Sequence, residues 1–170
     1  EFVARAMPDG YTLLNVDTSF PSNPALNRKL PYDSVKDFAP VSLLASAPVV
    51  LVVHSSIPVH TVKELLALAK AKPGQLNFAF GGYGTATHMG VELFRSVTKL
   101  DITLIPYKGG GPAAADVIAG QVAMMFSGPA SVKQHVVSGR LRAIAVTGGK
   151  RNAAMPTRSE EHTSELQSQF

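Results

Sequence analysis

The sequence is as informative for what it lacks as for what it holds. None of its 170 residues is cysteine, which excludes disulfides, thiol catalysis and Cys-ligated metal sites and leaves the redox compartment open. Charged residues make up 16 % and hydrophobic ones 45 %, the balance of a folded globular chain rather than a disordered one. No apolar run approaches the roughly 20 residues of a membrane span; the longest, Pro48 to Val53, reads as a buried strand. Glu1 opens the chain with neither a start Met nor a basic-then-apolar segment, so no signal peptide is read, an absence without weight in a piece of a longer protein. The net charge of +4 is scattered, without a basic stripe or interleaved aromatics. It reads as a solvated basic surface, and no nucleic-acid partner is expected.

Catalytic patterns are also missing. No Ser lies in a G-x-S-x-G elbow. Gly148-Gly149-Lys150-Arg151 lacks the spacing and hydroxyl residue of a phosphate-binding P-loop. A dinucleotide fingerprint starting at Gly82-Tyr83-Gly84 fails because Thr87 stands at its third glycine. The histidines at 54, 60, 88 and 135 are isolated, so no metal site is expected. No catalytic residue and no cofactor is assigned.

What is present is an alternation of strand and helix signals. Tyr11 to Val16 reads as a strand after the Asp9-Gly10 turn, and residues 19–37, rich in Pro, Asn, Asp and Ser, as a long loop. Val41 to Val53 is a pair of apolar runs broken by Pro48. Thr61-Val62-Lys63-Glu64 is a capping box that opens a helix ended by Pro73-Gly74. Strands are predicted at Leu76–Phe80, Ile102–Pro106, Val122–Phe126 and Leu141–Val146. Helices are predicted at Thr85–Thr98, with Met89, Leu93 and Val97 on one face, from Pro112 to Gly120, and at Ser131–Ser138. This order implies an α/β fold, with a parallel or mixed sheet covered by helices. The expected core includes Val50, Val52, Leu65, Leu68, Phe78, Leu93, Ile102, Leu104, Val117, Ile118 and Phe126.

The candidate ligand-binding residues sit where strands end. Gly81-Gly82-Tyr83-Gly84-Thr85 joins a predicted strand to a predicted helix. Glycines permit positive φ and close backbone approach, and the unpaired amides at a helix start carry the positive end of its dipole. Such a loop suits a carboxylate or phosphate, or is simply a tight turn with a Thr cap. His88, in the first turn of that helix, either lines the crevice or serves in capping or packing. Tyr107-Lys108-Gly109-Gly110-Gly111-Pro112 repeats the design on the next connection, with Tyr107, Gly109 and Gly110 as candidates and Lys108 as a point charge or a solvated lysine. Ser127 and the pair Thr18 and Ser19 complete the set. Loops at like ends of neighbouring strands face one crevice. The amides of Gly82, Gly84 and Thr85 are expected to point into it, and Gly84→Val to block a ligand while leaving the fold intact. A binding module taking an organic anion fits these loops best. An α/β enzyme using them for a phosphorylated or carboxylated substrate is the alternative, with Asp116 the nearest acid, and an interaction module without a ligand is the third.

Family landmarks appear in order along the chain. Pro8-Asp9-Gly10-Tyr11-Thr12-Leu13-Leu14, Leu30-Pro31-Tyr32-Asp33, Asp37-Phe38-Ala39-Pro40-Val41 and Lys72-Pro73-Gly74 resemble the Bug/TctC-type extracytoplasmic solute receptors of tripartite tricarboxylate transporters. So do the Gly81–His88 stretch, Pro106-Tyr107-Lys108-Gly109 and Gly139-Arg140-Leu141-Arg142-Ala143-Ile144-Ala145-Val146-Thr147. The resemblance implies a type-II periplasmic-binding-protein fold, a small carboxylate held by loop amides, hydroxyls and water, delivery to a membrane permease, and a periplasmic location. It implies that residues 1–45 are a remnant of a first α/β domain, 46–147 a nearly complete second one, and 148–157 a return to the first. Tyr83 departs from the smaller residue frequent in the family, which narrows or reshapes the pocket. Arg158 to Ser168 resembles the in-frame translation of a common sequencing adapter, so residues 158–170 are expected to be a non-native tail; the alternative is a polar C-terminal helix.

Overall fold

A computed structural model describes residues 1–27 and 29–147. The expected return segment 148–157 and tail 158–170 lie outside the described residues. The elements are α1 (Ser19–Leu26), β1 (Val50–His54), α2 (Val62–Ala71), β2 (Asn77–Phe80), α3 (Ala86–Thr98), β3 (Thr103–Pro106), α4 (Gly110–Ile118), β4 (Met124–Ser127), α5 (Pro129–Val137) and β5 (Leu141–Val146), preceded by a short 3-10 helix at Val3–Arg5.

The strands form one mixed sheet in the order β3-β2-β4-β1-β5. β2 runs parallel to β3 and to β4, whereas β1 is antiparallel to both β4 and β5. The crossovers from β2 to β3 and back from β3 to β4 run in opposite directions along the sheet, and the right-handed rule for parallel connections then puts α3 and α4 on opposite faces. That coverage explains why Val50, Leu51, Val52 and Val53 are all fully buried, inward-facing on both sides of the sheet. On the α3 face, Phe78, Phe94 and Phe126 pack as one aromatic group, with centroids 5.2–6.3 Å apart. Gly90 makes this possible, because a Cβ there would lie 3.3 Å from the Phe126 ring.

Local chemistry sets the helix ends. The Thr61 side chain accepts the Glu64 N–H at 3.0 Å, and the Glu64 carboxylate reaches back to the His60 N–H, so the predicted cap forms. Thr85 caps α3 by accepting the His88 N–H at 3.3 Å. Pro129 occupies the first turn of α5, where its missing N–H costs nothing.

Four expectations are corrected. Tyr11 to Val16 is not a strand; Tyr11 and Leu13 are exposed, and no described strand lies beside them to supply a ladder. Residues 19–37 are not all loop, since Ser19–Leu26 is helical. Pro21 falls in the first turn, and the aromatic group of Phe20, Tyr32 and Phe38, with centroids 5.0–5.8 Å apart, ties the helix to the segment after it. Of the Val41–Val53 runs, only Val50–Val53 are in a strand. The buried face of α3 carries His88, Val91 and Phe94, whereas Met89, Leu93 and Val97 are exposed, so Leu93 is not core. Leu68, Leu104 and Ile118 are half-buried at the margin of the core; the remaining expected members are buried.

No described residue before Val50 is buried. The chain passes from that region into β1 and leaves through β5 at one place. The Thr147 N–H donates to the Val49 carbonyl at 3.0 Å, and the Val49 N–H donates to Thr147 Oγ1 at 3.1 Å.

Candidate functional site

Because β3, β2 and β4 are parallel neighbours, the loops that follow them leave the same edge of the sheet. Phe80 and Pro106 are register partners, so residues 81–85 and 107–109 start side by side. The Tyr107 N–H donates to the Phe80 carbonyl at 2.9 Å, carrying the ladder one step past the strands. Beyond it the loops touch backbone to backbone. A Cβ on Gly81 would sit 3.0 Å from the Gly110 nitrogen, and one on Gly82 3.7 Å from the Tyr107 carbonyl oxygen. Gly82, Gly84 and Gly109 have φ of +124°, +79° and +118°, conformations that L side chains resist. Gly109 and Gly110 face open space.

The fourth segment arrives from the other part of the chain. A Cβ on Gly84 would lie 2.9 Å from Leu26 Cδ1, 3.6 Å from Ser22 Cβ and 3.9 Å from the Ser19 Cα. Helix α1 therefore lies directly against the loop, bringing Thr18 and Ser19 to its flank. Ser19 is committed locally: its N–H and hydroxyl both donate to Asp17 Oδ1, at 2.9 and 2.5 Å. Those bonds hold the Asp17 carboxyl below the usual carboxylate range. Thr18 precedes the helix, and its carbonyl accepts the Ser22 hydroxyl at 2.9 Å. Asn15, Asp17, Ser19, Phe20 and Asn23 line an open hollow on this flank. Ser127 ends β4 at the same sheet edge and is buried.

The loop residues divide into those whose polar groups build the loop and those whose amides take no part in it. The Gly81 N–H donates to Thr87 Oγ1 at 3.2 Å, and the Thr85 hydroxyl donates to the Gly82 carbonyl at 2.8 Å. The Gly84 N–H donates to His88 Nδ1 at 3.2 Å, so the expectation that this amide points into the crevice is wrong. His88 is 8 % exposed, packed on Phe80 and Tyr83, and is not a lining residue. Likewise Gly84→Val would put a branched side chain at a positive φ and crowd Leu26, so it would strain the loop rather than act on a ligand alone. The first intrahelical bond of α3 comes from Met89, which leaves the Ala86 and Thr87 amides at the open helix start beside Gly82 and Thr85. Tyr83 is exposed at the rim.

Tyr107, expected to border the crevice, is tied down at its phenol end. Its hydroxyl donates to Asp116 Oδ2 at 2.6 Å. That bond, with partial desolvation and the Asp116 charge, pushes the phenol up to about 12. Lys108 is exposed and makes no ion pair among the described residues. Among the described residues, no group of three His, Asp or Glu is placed to hold a metal.

Sequence reasoning missed α1 as the wall behind Gly84, and His88 as the acceptor of the loop amide. The spacing Gly84–His88, one helical turn across a Thr cap, is the signal that was there to be read.

This edge, with two glycine loops in contact over a capped helix start, belongs to an α/β layer built on a mixed five-stranded sheet. The chain belongs to the tripartite tricarboxylate transporter family receptors, whose family model matches residues 1–168. BugT of Bordetella pertussis is 37 % identical over 162 residues, covering 92 % of this chain and 50 % of its own. An R. palustris protein solved with adipate is 32 % identical with a TM-score of 0.83, covering 95 % of this chain and 54 % of that one. MatC from Rhodopseudomonas palustris, solved with bound malate, is 29 % identical with a TM-score of 0.81, covering 97 % of this chain and 55 % of its own. The chain thus spans about half the length of the relatives it matches. No helix among the described residues is long and apolar enough to cross a membrane.

Proposed function

We propose that this chain is the ligand-holding half of a periplasmic receptor that captures a small organic carboxylate and presents it to the membrane permease of a tripartite tricarboxylate transporter. The observation that carries this is the contact between the loops of β2 and β3. Gly81 and Gly110 meet backbone to backbone over the start of α3, so free amides and a helix dipole face one place without a buried cation. Gly82, Tyr83, Thr85, Gly109 and Gly110 border the ligand, Ala86 and Thr87 add amides, and Thr18, Ser19 and Ser127 flank it. Gly84, His88 and Tyr107 shape the site from behind. Residues 46–147 form the domain that owns these loops, and 1–45 belong to its partner domain. The output is reversible affinity, so neither nucleophile nor base is required. Family membership and the adipate- and malate-bound relatives favour dicarboxylates.

The test is amide chemical-shift mapping of the chain against adipate, malate and the neutral diol 1,6-hexanediol. Saturable shifts at Gly82, Ala86, Thr87, Gly109 and Gly110 with the two acids are expected. Half a cleft holds ligand weakly, with Kd on the order of 1 mM. Silence at those amides, or an equal response to the diol, defeats the assignment.

A further inference from the structure

We propose that His88 is the positioning residue of the 81–85 loop, holding it in its ligand-ready shape only as a neutral ring and releasing it when protonated. The inference rests on reading that loop as the ligand loop. The carrying observation is the 3.2 Å bond in which the Gly84 N–H donates to His88 Nδ1. An amide can donate only to an unprotonated nitrogen, so the His88 proton sits on Nε2. Nε2 lies 3.8 Å from the Glu92 carboxylate, on the opposite side of the ring from the loop.

The surroundings leave the ring little freedom. Phe80 packs against it at 4.8 Å and Tyr83 at 5.1 Å between centroids. On its other side Gly84 faces the Leu26 side chain of α1. A second proton on the ring creates an N–H at Nδ1 facing the Gly84 N–H. Two donors then oppose each other in a buried space, and the amide loses its acceptor. The loop at φ +79° loses the bond that fixes it. The charged and titratable groups around the ring are few. Glu92 faces Nε2 and is itself bonded to Arg95 at 2.9 Å, Tyr83 covers one side, and Asp17 stands just before α1. β2, β4 and α1 carry no titratable side chain. His88 therefore couples proton uptake to the shape of the loop.

The experiment uses the whole 170-residue chain, labelled with nitrogen-15. Long-range proton–nitrogen correlation reads the His88 tautomer while the Gly84 amide is followed from about pH 8 to about pH 5, the range in which imidazoles titrate. The expected result is an unprotonated Nδ1 at the alkaline end, with a Gly84 shift that tracks the His88 titration. After correction for the intrinsic pH dependence of exchange, Gly84 protection should drop about tenfold at the acid end, which is one lost bond of about 1.4 kcal/mol. His88→Asn puts a side-chain oxygen near the Nδ1 position and should keep Gly84 protected while removing its pH response. His88→Leu should lose the protection at every pH; if that variant fails to fold, the Asn variant decides alone. An Nδ1–H tautomer at the alkaline end, a Gly84 amide indifferent to His88, or an unchanged pH response in His88→Asn overturns the proposal. Adipate is then added at the alkaline end. If it moves no loop amide while the Gly84–His88 coupling stands, the ligand reading fails and the positioning role survives. If adipate binds but the coupling is absent, the reverse holds.

Discussion

Single residues here divide by what stands behind their Cβ. Gly84 and Gly110 look alike in sequence, yet one faces Leu26 at 2.9 Å and the other faces nothing within 4 Å. Gly84→Ala puts a Cβ at a positive φ and should cost about 1 kcal/mol of stability, the exposed Leu26 methyl being able to give way, whereas Gly110→Ala should stay within about 0.5 kcal/mol. Urea titrations of the two variants check the contrast; equal losses would contradict the left-handed conformation of Gly84. Tyr107 gives a prediction in pH. Its bond to Asp116 raises the folded phenol to about 12 from an ordinary 10. The contribution is therefore complete below pH 10 and vanishes as the pH climbs toward 12. Tyr107→Phe should be less stable than the parent by about 1 kcal/mol at neutral pH, with the gap closing across that alkaline window. Denaturation of both proteins at several alkaline pH values decides it, and a gap that widens would refute the bond.

At the scale of elements, the strands that end in glycine loops were legible because both signals are local. A short apolar run followed by Gly-Gly needs no partner to be recognised. The loops' common edge followed from the βαβ order, and their contact in space agrees with it. α1 was illegible for the opposite reason. Ser19-Phe20-Pro21-Ser22-Asn23-Pro24 has loop composition, and its helix is held by Phe20 packing on Tyr32 and Phe38, residues 12 and 18 positions away. The face of α3 was misread because Gly90 and His88 are not apolar, yet they fill the side facing Phe126 and Phe80. Pro24 is a removable handicap inside α1, since it lacks the N–H that would donate to the Phe20 carbonyl one turn earlier. Pro24→Ala should raise helix content and stabilise the 81–85 loop it supports, seen as slower exchange at Gly84; faster exchange would count against α1 as a wall. Thr61→Ala removes the cap of α2 and should cost about 1 kcal/mol, read by thermal melting.

At the scale of the whole molecule, the fully buried apolar residues among those described lie between Val50 and Ala145. Before Val50, Tyr11, Leu13, Val41, Leu43 and Leu44 stand exposed, large apolar side chains without a described core to cover them. The chain should therefore bind a hydrophobic dye and self-associate with rising concentration, and deleting residues 1–45 should relieve both while the sheet still melts cooperatively. Dye fluorescence and light scattering on the two forms test this; a monodisperse, dye-silent full chain would contradict it.

The stitch between Val49 and Thr147 has a consequence for how this half can be handled. Paired strands hold opposing Cα atoms about 5 Å apart, so the two places where the chain crosses into and out of the sheet are one doorway. What lies between them is topologically a plug-in: it can be lifted out, its cut ends sealed by a linker of a few glycines, and new ends opened elsewhere without redrawing any strand.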